Sequence, residues 1–212
     1  MAKATMVAKQ PPKQARAVQT RDTLLEVAGV LLAEVGIERI STNLICQRAN
    51  VSPPALYRYF EDKYAVLEAL GLRLMERQNA VLMAWIDRYL SKGVELAAAH
   101  VEELLRETAA ITDTEPGGVW IERALHAAPR LVHIRVQSHR YVTDLLTDAS
   151  MPHLPQLSRD ALWNRIRMAV EFGYAVDELL HEEHGISKDV IFAEAARILR
   201  SALLFESDGT RN

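Results

Sequence analysis

The stretch VGIERISTNLICQRANVSPPALYRYFEDKYAVLEAL, residues 35–70, decides the fold. Ser41 or Thr42 stands at a capping position before a short helix whose inner face is Leu44, Ile45 and Ala49. Asn50-Val51 then makes a tight turn, because Asn tolerates the left-handed conformation better than most residues. Ser52 caps a third helix, Pro53 to Phe60, and Pro53 at its first position gives up only an N–H that would have had no partner. Asp62 caps a fourth, carried by Val66, Leu67, Leu70, Leu74, Val81, Leu82 and Trp85 to about Leu90. Upstream, from Thr20, Leu24, Val27, Ala28, Leu31, Leu32 and Val35 recur at amphipathic-helix spacing, and Gly36 ends that helix. Three short helices and a long one, with no strand pattern, are the layout of a small DNA-binding domain.

A helix-turn-helix needs a first helix across the backbone, a tight turn and a second helix offering side chains to the major groove. Residues 42–60 supply these parts. Leu44, Ile45, Ala49, Val51, Leu56 and Phe60 pack inward, which leaves Pro53, Pro54, Ala55, Tyr57, Arg58 and Tyr59 outward. Two tyrosines and an arginine on so short an exposed face are out of place on an inert surface and suit phosphates and base edges.

These residues resemble the TetR (tetracycline-repressor) family of transcriptional regulators. The resemblance rests on Gly36, Thr42, Ile45, Ala49, Val51-Ser52, Leu56-Tyr57, Phe60, Lys63 and Leu67, matched in type and spacing over a third of the chain or less. The chain departs at Asn50, where Gly is usual, at Cys46, where Ala is common, and at Pro53-Pro54; each substitute is small or compatible with the turn. The resemblance implies that Thr42 caps the second helix against a phosphate, that Tyr57 and Tyr59 reach the backbone, and that Lys63 holds a phosphate. Ser52, Pro53, Pro54 and Ala55 would face the bases, with Arg58 a candidate for guanine and Asn43 for a base or a phosphate.

Composition sets the outer limits. At 212 residues and 49% apolar the chain is one large or two small folded domains, and no run approaches a membrane span. One cysteine, Cys46, excludes an intramolecular disulfide and a Cys-based zinc site, which suits a soluble protein of the reducing cytoplasm. Net charge is −3, yet residues 1–21 carry Lys3, Lys9, Lys13, Arg16 and Arg21 and no acid. Any polyanion should therefore meet the N-terminal end. Residues 1–18 read as a flexible basic arm, following a phosphate, entering the minor groove, or free of any DNA role. Residues 19–65 read as the helix-turn-helix domain and 66–212 as a helical effector-binding and dimerisation domain.

Beyond Gly93 helices are predicted at about 94–112, 118–127, 130–149, 158–184 and 187–206, giving an all-α protein of about nine helices. Two heptad-like seams run near the end: Leu162, Ile166, Ala169, Gly173, Val176 and Leu180, then Ile191, Ala195, Ile198, Ala202 and Phe205. They form a dimer interface, as the resemblance implies, or an intramolecular core. Trp85, Tyr89, Trp120, Tyr141, Trp163, Met168 and Phe172, with His126 among the polar anchors, are candidates for the effector cavity that the resemblance implies; each could equally be ordinary core. His181-Glu182-Glu183-His184 invites a metal reading, but it lacks hydrolase spacing and sits before Gly185, so it reads as a solvated helix end. The sequence thus points to a dimeric, ligand-responsive repressor of a palindromic operator, without cofactor or metal. An all-α enzyme and an interaction protein on a helix-turn-helix scaffold are the alternatives; the scattered histidines offer no nucleophile–base spacing.

Overall fold

The computed structural model describes residues 13–182 and 185–204. Among them there is no strand, and ten α-helices follow in order: α1 (Lys13–Arg39), α2 (Thr42–Ala49), α3 (Pro53–Leu56), α4 (Lys63–Arg88), α5 (Val94–Ala99), α6 (Val101–Thr114), α7 (Gly118–Ala127), α8 (Val132–Ser150), α9 (Arg159–Leu179) and α10 (Lys188–Leu203). Short 3-10 turns at 90–92, 129–131 and 151–153 lie between α4 and α5, α7 and α8, and α8 and α9.

The local signals act where the sequence puts them. Ser41 caps α2 by accepting from the Leu44 N–H at 3.2 Å, and Asp62 caps α4 through Ala65 at 2.9 Å. Asn50 ends α2 at φ 53°. Gly36 bends the end of α1 at φ 74°, a conformation nearly free for glycine alone.

Three predicted boundaries move. α1 begins at Lys13 rather than Thr20, so part of the expected arm is helix. Gln, Ala and Arg there have good helix propensity without apolar periodicity, so a hydrophobic-pattern reading passes over them. The predicted helix at 94–112 is two helices broken at His100, whose Nδ1 turns back to the Leu96 carbonyl. α9 stops at Leu179, short of Gly185. Residues 1–12, with Lys3 and Lys9, lie outside the described residues, as do Glu183, His184 and Phe205.

Two interiors share α4. The first joins α1 (Leu24, Leu25, Ala28, Leu31, Leu32), α2 (Ile45, Cys46), Leu56 and Phe60 to the first half of α4 and to α7 (Ile121, Ala124, Leu125). The second joins Leu82 and Trp85, late in α4, to α5, α6, α9 and α10. Packing therefore runs continuously through α4 across position 65, where the sequence suggests a domain division. α1 also meets the α6–α7 turn backbone to backbone: a Cβ on Gly29 would strike the Pro116 carbonyl. That turn is anchored by Glu115, buried and ion-paired with Arg73 and Arg77 of α4.

Candidate nucleic-acid interface and effector cavity

Leu56 and Phe60 are buried, and they press the segment 52–60 onto α1 and α4, so its remaining side chains face out. Ser52, Pro53, Pro54, Tyr57 and Arg58 are exposed, Ala55 is half-buried, and Asn43 is exposed on the neighbouring α2. Tyr57 Oη lies 3.1 Å from Thr42 Oγ1, which ties the third helix to the first turn of the second and holds two hydroxyls side by side at the surface. The regular helix stops at Leu56 and continues as turns to Phe60, shorter than the sequence suggests.

Two expected DNA contacts have partners within the chain. Tyr59 is half-buried against the first core, its ring 6.4 Å from that of Phe60. Lys63 Nζ donates to the Ile37 carbonyl at 3.0 Å and lies over the Tyr64 ring. It thereby closes the chain just after the Gly36 bend. Residue type and spacing cannot tell a lysine that grips a phosphate from one that grips a carbonyl.

Other features carry no sequence signal. Arg21 lies over the Phe60 ring at 5.8 Å, so one of the N-terminal cations is held against the helix-turn-helix. Arg48 is paired with Glu34 at 2.7 Å, which lowers its value as a phosphate contact. Arg130, from the turn before α8, bonds Asp62 at 2.9 Å and covers Tyr64. The Ala65 N–H, with Arg130 adding to it, holds the Asp62 carboxyl below its ordinary range.

A cavity of about 150 Å3 lies in the second interior between α4, α6, α8, α9 and α10. Of the candidates from sequence, only Trp85 lines it. Trp120, Tyr141 and Met168 are on the surface. Trp163 donates to Asp144 at 2.8 Å, and Tyr89 stacks on His100 and donates to Glu103. Phe172 is half-buried against the second core, and His126 lines a separate cavity of about 20 Å3. Aromatic type alone does not report facing; the cavity wall is instead mostly Leu, Val, Ile and Ala.

The heptad seams also face inward. Leu162, Ile166, Val176, Leu180, Ile191 and Ala195 are buried within the single chain, and Ala169, Gly173 and Ala202 line the cavity. Among the described residues of the two seams only Ile198 is exposed, at 54%. An apolar stripe marks the face a helix must bury first, and here α8, α9 and α10 bury it against one another and the neighbouring helices. The large apolar side chains of α9 and α10 left most exposed are Met168, Val190 and Ile198. His181 is taken up by Asp113 at 2.8 Å and by the Asp177 carbonyl, and no metal-binding cluster occurs among the described residues.

Fold and surface together define a helix-turn-helix DNA-binding protein with a helical body. The profile described as "Bacterial regulatory proteins, tetR family" matches residues 24–70, which cover α1 to the middle of α4. The HTH-type transcriptional regulator UidR of Escherichia coli K12 is 24% identical over 199 residues, spanning 92% of this chain and 97% of that protein. A TetR-family regulator from Mesorhizobium loti superposes with a TM-score of 0.65 at 15% identity, over 89% of this chain and 96% of the other. One from Streptomyces coelicolor gives 0.57 at 23%, over 87% and 97%. Residues 24–70 are those of a TetR-family regulatory domain, and the chain is a DNA-binding transcriptional regulator. No helix among the described residues is long and apolar enough to cross a membrane.

Proposed function

We propose that this regulator is a repressor that binds a palindromic operator as a homodimer through Thr42, Asn43, Ser52, Pro53, Pro54, Ala55, Tyr57 and Arg58, and that a small molecule in the body releases it. The observation that carries the reading is the Tyr57–Thr42 pair, held outward beside exposed Arg58 over a fully buried Leu56. A polar, aromatic face on an apolar pedestal is what phosphate and base contacts require. One such face is too small for specific affinity, so two copies related by a two-fold axis are needed. The outward apolar residues of α9 and α10, Met168, Val190 and Ile198, supply the pairing surface in this reading, in place of the inward seams. The cavity, which shares α4 with the reading head, is the effector site.

The test is binding to the DNA upstream of the protein's own coding region at two salt concentrations. Salt-sensitive binding to a short palindrome, lost in Arg58→Ala, supports the reading. Weak, sequence-blind binding that Arg58→Ala leaves unchanged removes it. For the dimer, Met168→Asp should shift the protein to monomer in size-exclusion chromatography, whereas an unchanged dimer would exclude that face.

A further inference from the structure

The walls of the 150 Å3 cavity are nearly all hydrocarbon, with Leu82, Trp85, Leu105, Leu146, Ile166 and Val170 among them. A cavity of that size in another protein is known to take up benzene, so there is room for one ring and a short chain. One end is different. Gln78 and Asp177 close it, with Thr112 and Glu122 behind them. Thr112 Oγ1 accepts from Gln78 Nε2 at 3.1 Å and lies 3.2 Å from both Glu122 Oε1 and Asp177 Oδ2. A hydroxyl has one proton to give, so it serves only one of the two carboxylates. Burial first, and then the neighbouring Asp177, push the Glu122 carboxyl well above its ordinary range, so the pair retains a proton.

The charged and titratable groups around the pair do not neutralise it. Tyr174 of α9 is pushed up to about 12 by burial and stays a neutral phenol. Arg123 and His126 of α7, Arg135 and His139 of α8, and Glu178 and His181 of α9 line the small cavity beyond Gln78 and Tyr174. The basic side chains are turned elsewhere: Arg123 to the His181 carbonyl and the Trp120 ring, Arg135 to Glu171, and the His181 ring to Asp113.

We infer that the cavity receives a small hydrophobic amine, its apolar body along Leu82, Trp85, Leu105 and Ile166 and its protonated nitrogen at Asp177, backed by Glu122. The inference rests on the reading of this cavity as the effector site. The ammonium supplies the positive charge that the carboxyl pair lacks, and the retained proton leaves to solvent as it binds. A neutral alcohol of the same shape leaves the pair as it is, and a carboxylate adds a third acid to it. Gln78 and Trp85 sit on α4, so the amine contacts the same helix whose first residue, Lys63, bonds the Ile37 carbonyl at the end of α1.

The experiment is calorimetric titration of the purified full-length protein with 2-phenylethylamine, 2-phenylethanol and 3-phenylpropanoate. Two buffers of different ionisation enthalpy count the protons released, and operator affinity is measured in parallel. The amine should bind at least tenfold tighter than the alcohol and release a proton, and the carboxylate should not bind. Asp177→Asn should bring the amine down to the affinity of the alcohol. Ala169→Leu, which fills the cavity without touching the pair, should abolish amine binding and guards against a folding defect in the first variant. Equal binding of the alcohol, tighter binding of the carboxylate, or no binding by any probe overturns the inference. Amine binding that leaves operator affinity unchanged sustains the cation site and removes the effector reading. A neutral probe that binds and releases the operator does the reverse.

Discussion

The two ends of α4 lie in different interiors. Around its first half the interior is hydrocarbon: Leu24, Leu25, Ala28, Leu31, Ile45, Leu56 and Leu70 are wholly buried, and polar groups there point outward. Around its second half the interior is perforated and partly polar. The buried polar side chains of the described residues, Gln78, Thr112, Glu115, Ser138, His139, Thr143, Thr147 and Ser150, all lie in this later part of the chain. Thr143 and Thr147 are satisfied by carbonyls one turn back, while Ser150 Oγ has no protein partner. A reading head needs one shape, which dense apolar packing enforces. A site that admits a ligand needs space and polar groups to orient it, at a cost in stability.

The contrast can be broken most directly in the two cores. Leu56→Ala is expected to cost about 2–5 kcal/mol, with loss of operator binding, because the reading face loses its pedestal. Overfilling separates the two ends: Ala28→Leu should cost about 1–3 kcal/mol, whereas Ala169→Leu grows into the cavity and should be neutral or raise Tm. Thermal denaturation of both variants checks this, and equal losses would mean that the two interiors are equally tight.

On the reading head itself, Arg58→Ala should lower operator affinity by about 1–3 kcal/mol, roughly five- to 150-fold, without moving Tm. Lys63→Ala should do the opposite. Losing the bond to the Ile37 carbonyl costs about 1 kcal/mol of stability, read as a lower Tm. If Lys63→Ala spared Tm and struck only DNA affinity, its place in the interface would be restored.

The smallest expected effect is a pH slope. With its folded value raised, Glu122 keeps a proton at pH values where the unfolded chain has lost it. Its contribution to stability is then greatest below the unfolded value of 4.5 and declines as pH rises toward the folded one. Glu122→Gln should flatten that decline and give a Tm above the wild type at pH 8, with little difference near pH 4. An unchanged slope would show that the proton resides elsewhere.

Local chemistry explains what could be read without coordinates. The Ser41 and Asp62 caps, the left-handed Asn50, the Gly36 bend and the buried Leu56 and Phe60 depend on neighbours a few residues away, so spacing alone places them. The same reading could not foresee the partners that Tyr59 and Lys63 have within the chain, because a half-buried tyrosine and a carbonyl-bound lysine use the residue types that DNA contacts use.

By itself the sequence determined an all-helical chain, a helix-turn-helix near its start and the exposed residues of that motif, since each follows from periodicity and capping within one or two turns. The tertiary structure decided what periodicity cannot encode. It chose which face of α9 and α10 is spent on the chain's own core, which aromatics are surface and which is wall, and which distant groups meet. Gln78, Thr112, Glu122 and Asp177 come from four helices, and only the packing of α4, α6, α7 and α9 places two carboxyl groups and one hydroxyl proton at the end of an apolar cavity.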